Sequence, residues 1–456
     1  MNTSLKSALL AAAIALIGGC AAMPKDSGFH DVRSAVEQRS GQRVQWNRFS
    51  ADDHDLDAAV RDLIAQPLTA DRAVQIALIN NRSLQSTYEE LGVAQAELVQ
   101  AGLLKNPVFD ADAKFLEGGG GTIVELSVMQ SFLDIFFIPL RKRIASGAFE
   151  VAKLRVAGAA VDLVAEVREA YYAHVAAEQV LELRRTVVSA TDAAYGLSRR
   201  IHDAGNNTAL DVAQERALYE QSKLELAHGE STVLDTRERL NALLGLWGTN
   251  TTWTINERLG DPPAEESPAA EIERRAVESN LLLAAMKHQL DGAAITLGLR
   301  RSTAWLSEAE VGVAAEREPE GTWAFGPAIS APIPLFDQGQ ASTAIARSEF
   351  ERIRQHYFAT AIEVRSAARS ARNRLMAARA RAEYLRQVIL PLRQEITHET
   401  QLQYNAMQVG AFQLLAAKQN EIEAGVQYIE SLREYWIARS AFEQVTSGSI
   451  HTKVSQ

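Results

Sequence analysis

Val108-Phe109-Asp110-Ala111-Asp112-Ala113-Lys114-Phe115 alternates residue by residue, with Phe109, Ala111, Ala113 and Phe115 on one face and Asp110, Asp112 and Lys114 on the other. A period of two predicts a β-strand. Thr122 to Phe132 follows the same rule, setting Val124, Leu126, Val128 and Phe132 against Glu125, Ser127 and Ser131; Glu117 and Gly118 to Gly121 form the loop between the two. A second pair stands far downstream. Trp305, Ala309, Val311, Val313 and Ala315 oppose Glu308, Glu310 and Glu316, while Trp323, Phe325, Ile329, Ala331 and Ile333 oppose Thr322, Ala324 and Ser330, with Arg317 to Gly321 as the loop. Strands with one apolar and one polar face, and aromatics near their ends, follow the pattern of a transmembrane β-barrel. Four strands cannot close one, since the smallest outer-membrane barrels have about eight. Several chains must pool their strands, and three chains with cyclic symmetry would supply about twelve.

The remainder reads as helix. A first helix is expected from about Thr69, a plausible N-cap, to Leu104, stopped by Asn106-Pro107. From Leu140 to about Asp203 there is no proline and only Gly147, Gly158 and Gly196 interrupt, so this helix could be ~95 Å long. Ala145, Phe149, Ala152, Val156, Ala159 and Leu163 form a heptad seam, as do Phe350, Ile353, Tyr357, Thr360, Val364, Ala367 and Ala371, and Ile422, Gly425, Ile429, Leu432 and Trp436. Pro391 should kink the second long helix, and nothing matches it in the first. The arginines at 365, 369, 372, 374, 379, 381 and 386 read as a solvated face.

The chain reads as a duplication. Ala204-Gly205-Asn206-Asn207-Thr208-Ala209-Leu210 and Val409-Gly410-Ala411-Phe412-Gln413-Leu414-Leu415 each follow one long helical stretch and open another, with the glycines 205 residues apart (410 − 205). Each half reads as helix, strand pair, very long helix, glycine turn, long helix. The expected organisation is a signal peptide at 1–19 and an irregular extension at 20–65. A first repeat covers 66–246, with its strands in 107–133 and its long helices in 139–246. A linker at 247–268 leads to a second repeat at 269–447, with strands in 304–335 and long helices in 339–447, and a loose tail at 448–456. The fold class is mostly α, with a small transmembrane β-barrel part.

The ends and the composition narrow the function. Lys6, the apolar run Ala8 to Ile17, and Ile17-Gly18-Gly19-Cys20 form an export signal ending in a lipobox, so Cys20 is the expected lipidation site. Ala21 rather than Asp follows it, which suggests no retention at the inner membrane. Cys20 is the only cysteine, which excludes an intrachain disulfide and a Cys-ligated metal site. Past the signal no run approaches the ~20 apolar residues of a transmembrane helix; the longest apolar patch is near Phe132 to Leu140. A net charge of −10 argues against nucleic acid as a partner and fits a periplasmic surface or a cation-favouring lumen. Phosphate loops, HExxH and GxSxG are absent, and the six Met and nine His do not cluster, so no catalytic residue, cofactor or metal site is expected.

Four stretches resemble the TolC-type outer-membrane efflux family, over roughly residues 66 to 446. They are Leu68 to Asn81, like the family's opening helix; Pro334-Leu335-Phe336-Asp337-Gln338-Gly339-Gln340, like its strand-to-helix junction; Ile389-Leu390-Pro391-Leu392, like a proline of its second long helix; and Tyr404-Asn405-Ala406-Met407-Gln408-Val409-Gly410, like its second periplasmic turn. The resemblance implies a homotrimer with a twelve-stranded barrel in the outer membrane and an α-helical barrel through the periplasm. It also implies docking to a periplasmic adaptor and an inner-membrane transporter, and no catalysis. The first junction, Phe136 to Arg141, lacks the family's acid and glycine, and Ala416, Ala417 and Lys418 stand where relatives carry gate acids.

On this reading Gly205 and Gly410 let the chain reverse at the hairpin tips. Asn206, Asn207, Ala411 and Phe412 join them as expected adaptor contacts. Asp203, Asp211, Glu399 and Gln408 are the constriction candidates, and Phe109, Phe115, Trp305, Trp323 and Phe325 form the expected aromatic belt against outer-membrane lipid. The competing reading is a lipid-anchored periplasmic scaffold without a pore. That scaffold would have little reason to place aromatics at strand ends.

Overall fold

A computed structural model describes residues 24, 26–48, 53–115, 121–131, 134–265, 271–303, 310–331, 333 and 335–449. Cys20, Trp305 and the tail beyond 449 lie outside the described residues. In chain order the elements are α1 (Phe29–Ser40), α2 (Asp53–Ile64), α3 (Ala70–Asn80), α4 (Arg82–Ala101), β1 (Val108–Phe115), β2 (Thr122–Gln130), α5 (Asp134–Asp203) and α6 (Ala209–Leu244). A 3₁₀ turn at Gly248–Thr251 follows. Then come α7 (Ile272–Ser279), α8 (Leu281–Thr303), β3 (Glu310–Arg317), β4 (Trp323–Ser330), α9 (Gln340–Tyr384), a π-helical turn (Leu385–Ile389), α10 (Leu390–Asn405) and α11 (Ala411–Thr446). From α3 onward a similar series of elements runs twice, with the single helix α5 of the first matched by α9, the π turn and α10 in the second.

Two expectations need correction. The N-terminal stretch is not irregular throughout, because it holds α1 and α2. Phe29, Val32 and Val36 give α1 one buried stripe at helical spacing. After α1 the residues 42–48 lack regular structure, and glutamines bond to the backbone there: Gln75 Nε2 donates to Arg43 O at 2.8 Å and Gln85 Nε2 to Gln45 O at 2.8 Å. The opening helix is also two helices. Asn81 leaves the helical region at φ −64°, ψ 115°. Its Oδ1 accepts from Leu84 N (2.9 Å), which caps α4, and its Nδ2 donates to Leu243 O (2.8 Å) at the end of α6.

That break clasps the end of α6. Gly245 closes α6 in the left-handed region at φ +66°, and a Cβ there would sit 2.5 Å from Asn80 O. Asn80 Nδ2 donates to Leu244 O and Gly245 O at 2.9 and 2.8 Å. The second half does the same. Asn280 breaks α7 from α8 at φ −67°, ψ 118°, Leu281 N donates to Gly448 O at 2.8 Å, and a Cβ on Gly448 would meet Ser279 O at 2.2 Å.

The chain divides into two compact units, one from the described residues of 1–30, 89–155 and 283–359, the other from 31–88, 156–282 and 360–456. In the first, Phe149 and Ala152 of the α5 seam pack on Ala94, with Leu98 at the margin. In the second, α5 runs antiparallel to α6, joined by Thr191 Oγ1 to Ser222 Oγ (2.8 Å) and Arg184 to Glu225 (2.6 Å). Against α11 it is also antiparallel: Arg168 pairs with Glu443 at 2.8 Å and Tyr172 stacks on Trp436 at 5.3 Å. Seam residues Val156, Leu163, Val364, Ala371, Ile422, Ile429 and Leu432 are buried, as heptad packing requires.

His174 sits inside this packing, 1% exposed, with Nδ1 2.9 Å from Thr236 Oγ1 and its ring edge-on to Trp253 at 5.2 Å. Burial, and then the Arg237 guanidinium, push its pKa down to about 4. Unfolded, the imidazole titrates near ~6.5, so the unfolded chain takes the proton first and stability falls as the pH drops from ~6.5 to about 4. The full loss is about 3 kcal/mol. His174→Gln should flatten the decline of the thermal midpoint between pH 7 and pH 4; an unchanged slope would assign the acid loss to other groups.

Candidate functional site

The four strands form one antiparallel sheet in the order β1-β2-β3-β4. Register sets Phe109 opposite Val128, Ala111 opposite Leu126, Val128 opposite Val313 and Ala315 opposite Phe325. Because side chains alternate, one face carries Phe109, Phe115, Leu126, Val128, Val313, Phe325 and Ile329. That face is bare: Phe115 is 81% exposed, Phe325 75% and Ile329 79%. An apolar face this exposed needs a non-aqueous neighbour. The other face carries Asp110, Asp112, Glu125, Glu310 and Glu316 against Lys114, which pairs with Glu125 at 2.7 Å. Each hairpin alternates as expected, with β2 ending at Gln130 and β4 at Ser330.

Phe115, Trp323 and Phe325 gather at the loop end, where Trp323 and Phe325 stack at 6.1 Å; Phe109 lies at the far end with Ile329. The two loops approach each other, since a Cβ on Gly121 (φ +99°) would meet Pro319 at 3.0 Å. Between hairpins the fit is closer still. A Cβ on Gly312 would sit 2.1 Å from Val128 O. Gly312→Ala should therefore part β2 from β3 at a cost of about 1–3 kcal/mol. A lower melting temperature, with loss of β signal in circular dichroism, would register it.

The helical tips are built by caps. At the first, Gly205 takes φ +78°, and Asn206 N donates to Ile201 O at 3.0 Å. Asn207 Nδ2 donates to Ser198 O (3.1 Å) and Ser198 Oγ (3.0 Å), pulling the turn onto α5. Thr208 and Asp211 form a capping box: Thr208 N donates to Asp211 Oδ2 at 2.8 Å, and Asp211 N to Thr208 Oγ1 at 3.2 Å. The bonds from Thr208 hold the Asp211 carboxyl below the usual range.

At the second tip the left-handed residue is Met407 (φ +60°), not Gly410, which is an extended N-cap at φ −80°, ψ 163°. Gly410 N donates to Gln413 Oε1 at 3.2 Å. Gly205 therefore corresponds to Met407 (407 − 205 = 202), Thr208 to Gly410 and Asp211 to Gln413. The starts of β1 and β3 and the ends of α6 and α11 keep the same offset. Matching glycine to glycine misregisters the halves by three residues, because the caps, not the glycines, are equivalent.

Asp203, Glu399 and Gln408 are exposed, and their side chains make no hydrogen bond or ion pair among the described residues. Ala411 and Phe412 are half-buried. The sequence reading missed Met407, 94% exposed in a conformation that disfavours side chains, and the clamp role of Asn207. No local signal marks Met407; only its equivalence to Gly205 does. Met407→Gly should stabilise the second tip by about 1 kcal/mol, read as slower amide exchange over 404–410. Among the described residues no group of three or more His, Cys, Asp or Glu is arranged to hold a metal ion, and no helix is long and apolar enough to cross a membrane.

An open sheet with a bare apolar face, carried on a chain of very long helical hairpins, defines a subunit of an outer-membrane efflux channel. The Outer membrane efflux protein family profile matches residues 73–246. Cobalt-zinc-cadmium resistance protein CzcC of Cupriavidus metallidurans is 25% identical over 84% of this chain and 90% of its own length. Outer membrane protein OprJ of Pseudomonas aeruginosa is 26% identical over 69% of this chain and 68% of its own. The open-state MtrE outer membrane channel of Neisseria gonorrhoeae superposes with a TM-score of 0.67 at 18% identity, over 83% of this chain and 89% of that one. Over these stretches the chain is similar to outer membrane efflux proteins.

Proposed function

We propose that three copies of this chain close a twelve-stranded barrel in the outer membrane and continue it as a helical barrel in the periplasm. The assembly is the passive exit duct of a tripartite efflux system. The observation that carries this reading is the sheet: its apolar face is exposed, and among the described residues β1 and β4 each have one strand neighbour. Backbone groups at such edges need partners in hydrocarbon, which neighbouring copies supply. Exposed apolar residues on the helices, such as Leu218 and Leu224 of α6 and Ile345 and Ile362 of α9, are further surface for copies to cover. Cys20 carries the lipid anchor.

The hairpin tips take the adaptor, which favours a splayed state over a closed one. The tip residues Gly205, Asn206, Asn207, Gly410, Ala411 and Phe412, joined by the exposed Met407, meet the adaptor, and Asp203, Asp211, Glu399 and Gln408 are the candidates for the constriction. Energy for transport comes from the inner-membrane partner. Divalent metal cations are the proposed cargo. The likeness to a cobalt-zinc-cadmium resistance protein runs along most of both chains, and the polar sheet face sets five carboxylates against one lysine.

Planar-bilayer conductance of the detergent-purified chain, with its oligomer mass on the same sample, tests the duct. Discrete cation-preferring steps from a trimer are expected. A monomer that stays in water once Cys20 is removed, and never conducts, would refute the barrel. Growth of a deletion strain on cobalt, zinc and cadmium tests the cargo, with sensitivity expected and restored by the intact chain.

A further inference from the structure

The segment joining the two halves is a strap, and it ends on the weak point of the second hairpin. At its start Trp253 is buried, donates to Asn241 Oδ1 at 2.7 Å and lies under Arg237 at 4.0 Å. Arg258 then pairs with Glu182 of α5 at 2.9 Å. Next the strap reaches the second hairpin. Gly260 O accepts from Trp436 Nε1 at 2.8 Å, Asp261 accepts from Tyr428 Oη and pairs with Arg386 at 2.7 Å, and Ala264 O accepts from Arg379 at 2.8 Å.

Arg386 belongs to the π-helical turn Leu385–Ile389. The turn has a local cause. Pro391 has no N–H to give Gln387 O, and Leu390 N reaches back five residues to Leu385 O. A π turn is one of two hydrogen-bond registers open to the same residues, so it is where a long helix can bend or slip. At the 202-residue offset Glu182 corresponds to Tyr384, the residue before the π turn. The strap therefore grips the two hairpins at equivalent levels, one on continuous α-helix and one on the π turn.

We infer that Asp261 is a latch. By holding Arg386 and Tyr428 together it fixes the π turn, and its release frees α10 to move relative to α9. The inference rests on the duct reading for its purpose, since a moving α10 is then a moving gate stave. The energetics suit a switch. Asp261 and Arg386 are each about half exposed, 44% and 54%, so their pair is weak on its own. Sharing the carboxylate with the Tyr428 hydroxyl adds to it without making it permanent.

Hydrogen–deuterium exchange on the full-length purified chain tests the latch without requiring a pore. Asp261→Asn and Arg386→Gln should each speed exchange several-fold across 385–394, with bilayer open probability rising in the same samples. Tyr428→Phe should give a smaller increase. The exchanged pair Asp261→Arg with Arg386→Asp should return exchange towards the parent rate. Should Asp261→Asn fail to assemble, Tyr428→Phe and Arg386→Gln leave the carboxylate in place and carry the test. Exchange across 385–394 that none of these variants alters would overturn the latch. A chain that never conducts, yet shows faster exchange in the variants, would fail the duct reading and leave the latch standing.

Discussion

A backbone amide or carbonyl facing hydrocarbon without a partner costs several kcal/mol, and no side chain can relieve a whole strand edge of them. The four-stranded sheet is shaped by that constraint. Its inner strands satisfy each other, and Gly312 lets β3 approach β2 where any side chain would collide with Val128 O. Its outer strands each keep one edge without a strand partner among the described residues. In the proposed assembly the bare apolar face meets lipid and the open edges meet neighbouring copies.

The helical part answers a different constraint. A long two-helix hairpin has little core of its own, so its ends must be tied. Asn80 and Asn81 tie the end of α6, and Ser279 and Asn280 lie at the equivalent end of α11, each against a glycine whose backbone lies too close for a Cβ. The tips are tied by caps, with Thr208 and Asp211 at one and Gly410 and Gln413 at the other. Charged contacts such as Arg168 with Glu443 then link one hairpin to the next.

Much of this was legible in the sequence, for identifiable reasons. Period-two alternation located all four strands, because a sheet with two unlike faces writes its burial directly into residue order. Heptad spacing and missing prolines located the long helices. What stayed hidden depended on backbone bonding. Nothing in the opening helix announces that Asn81 caps α4 and clasps α6, since asparagine in an apolar stretch reads the same whether it faces water or a carbonyl. Pro391 gave a kink but not the π turn before it. The glycines misled, because Gly205 is needed for its dihedral angle and Gly410 only for its place as a cap.

The π turn has no counterpart in the first hairpin, where α5 stays α-helical through the corresponding residues. If the latch acts as proposed, the two hairpins are mechanically unlike, the first stiff and the second pliant. A ring of three such chains would look sixfold at low detail but would bend with only threefold symmetry. Every second stave of the cask would yield, and each yielding stave would sit between two rigid neighbours that hold the wall in shape while it moves.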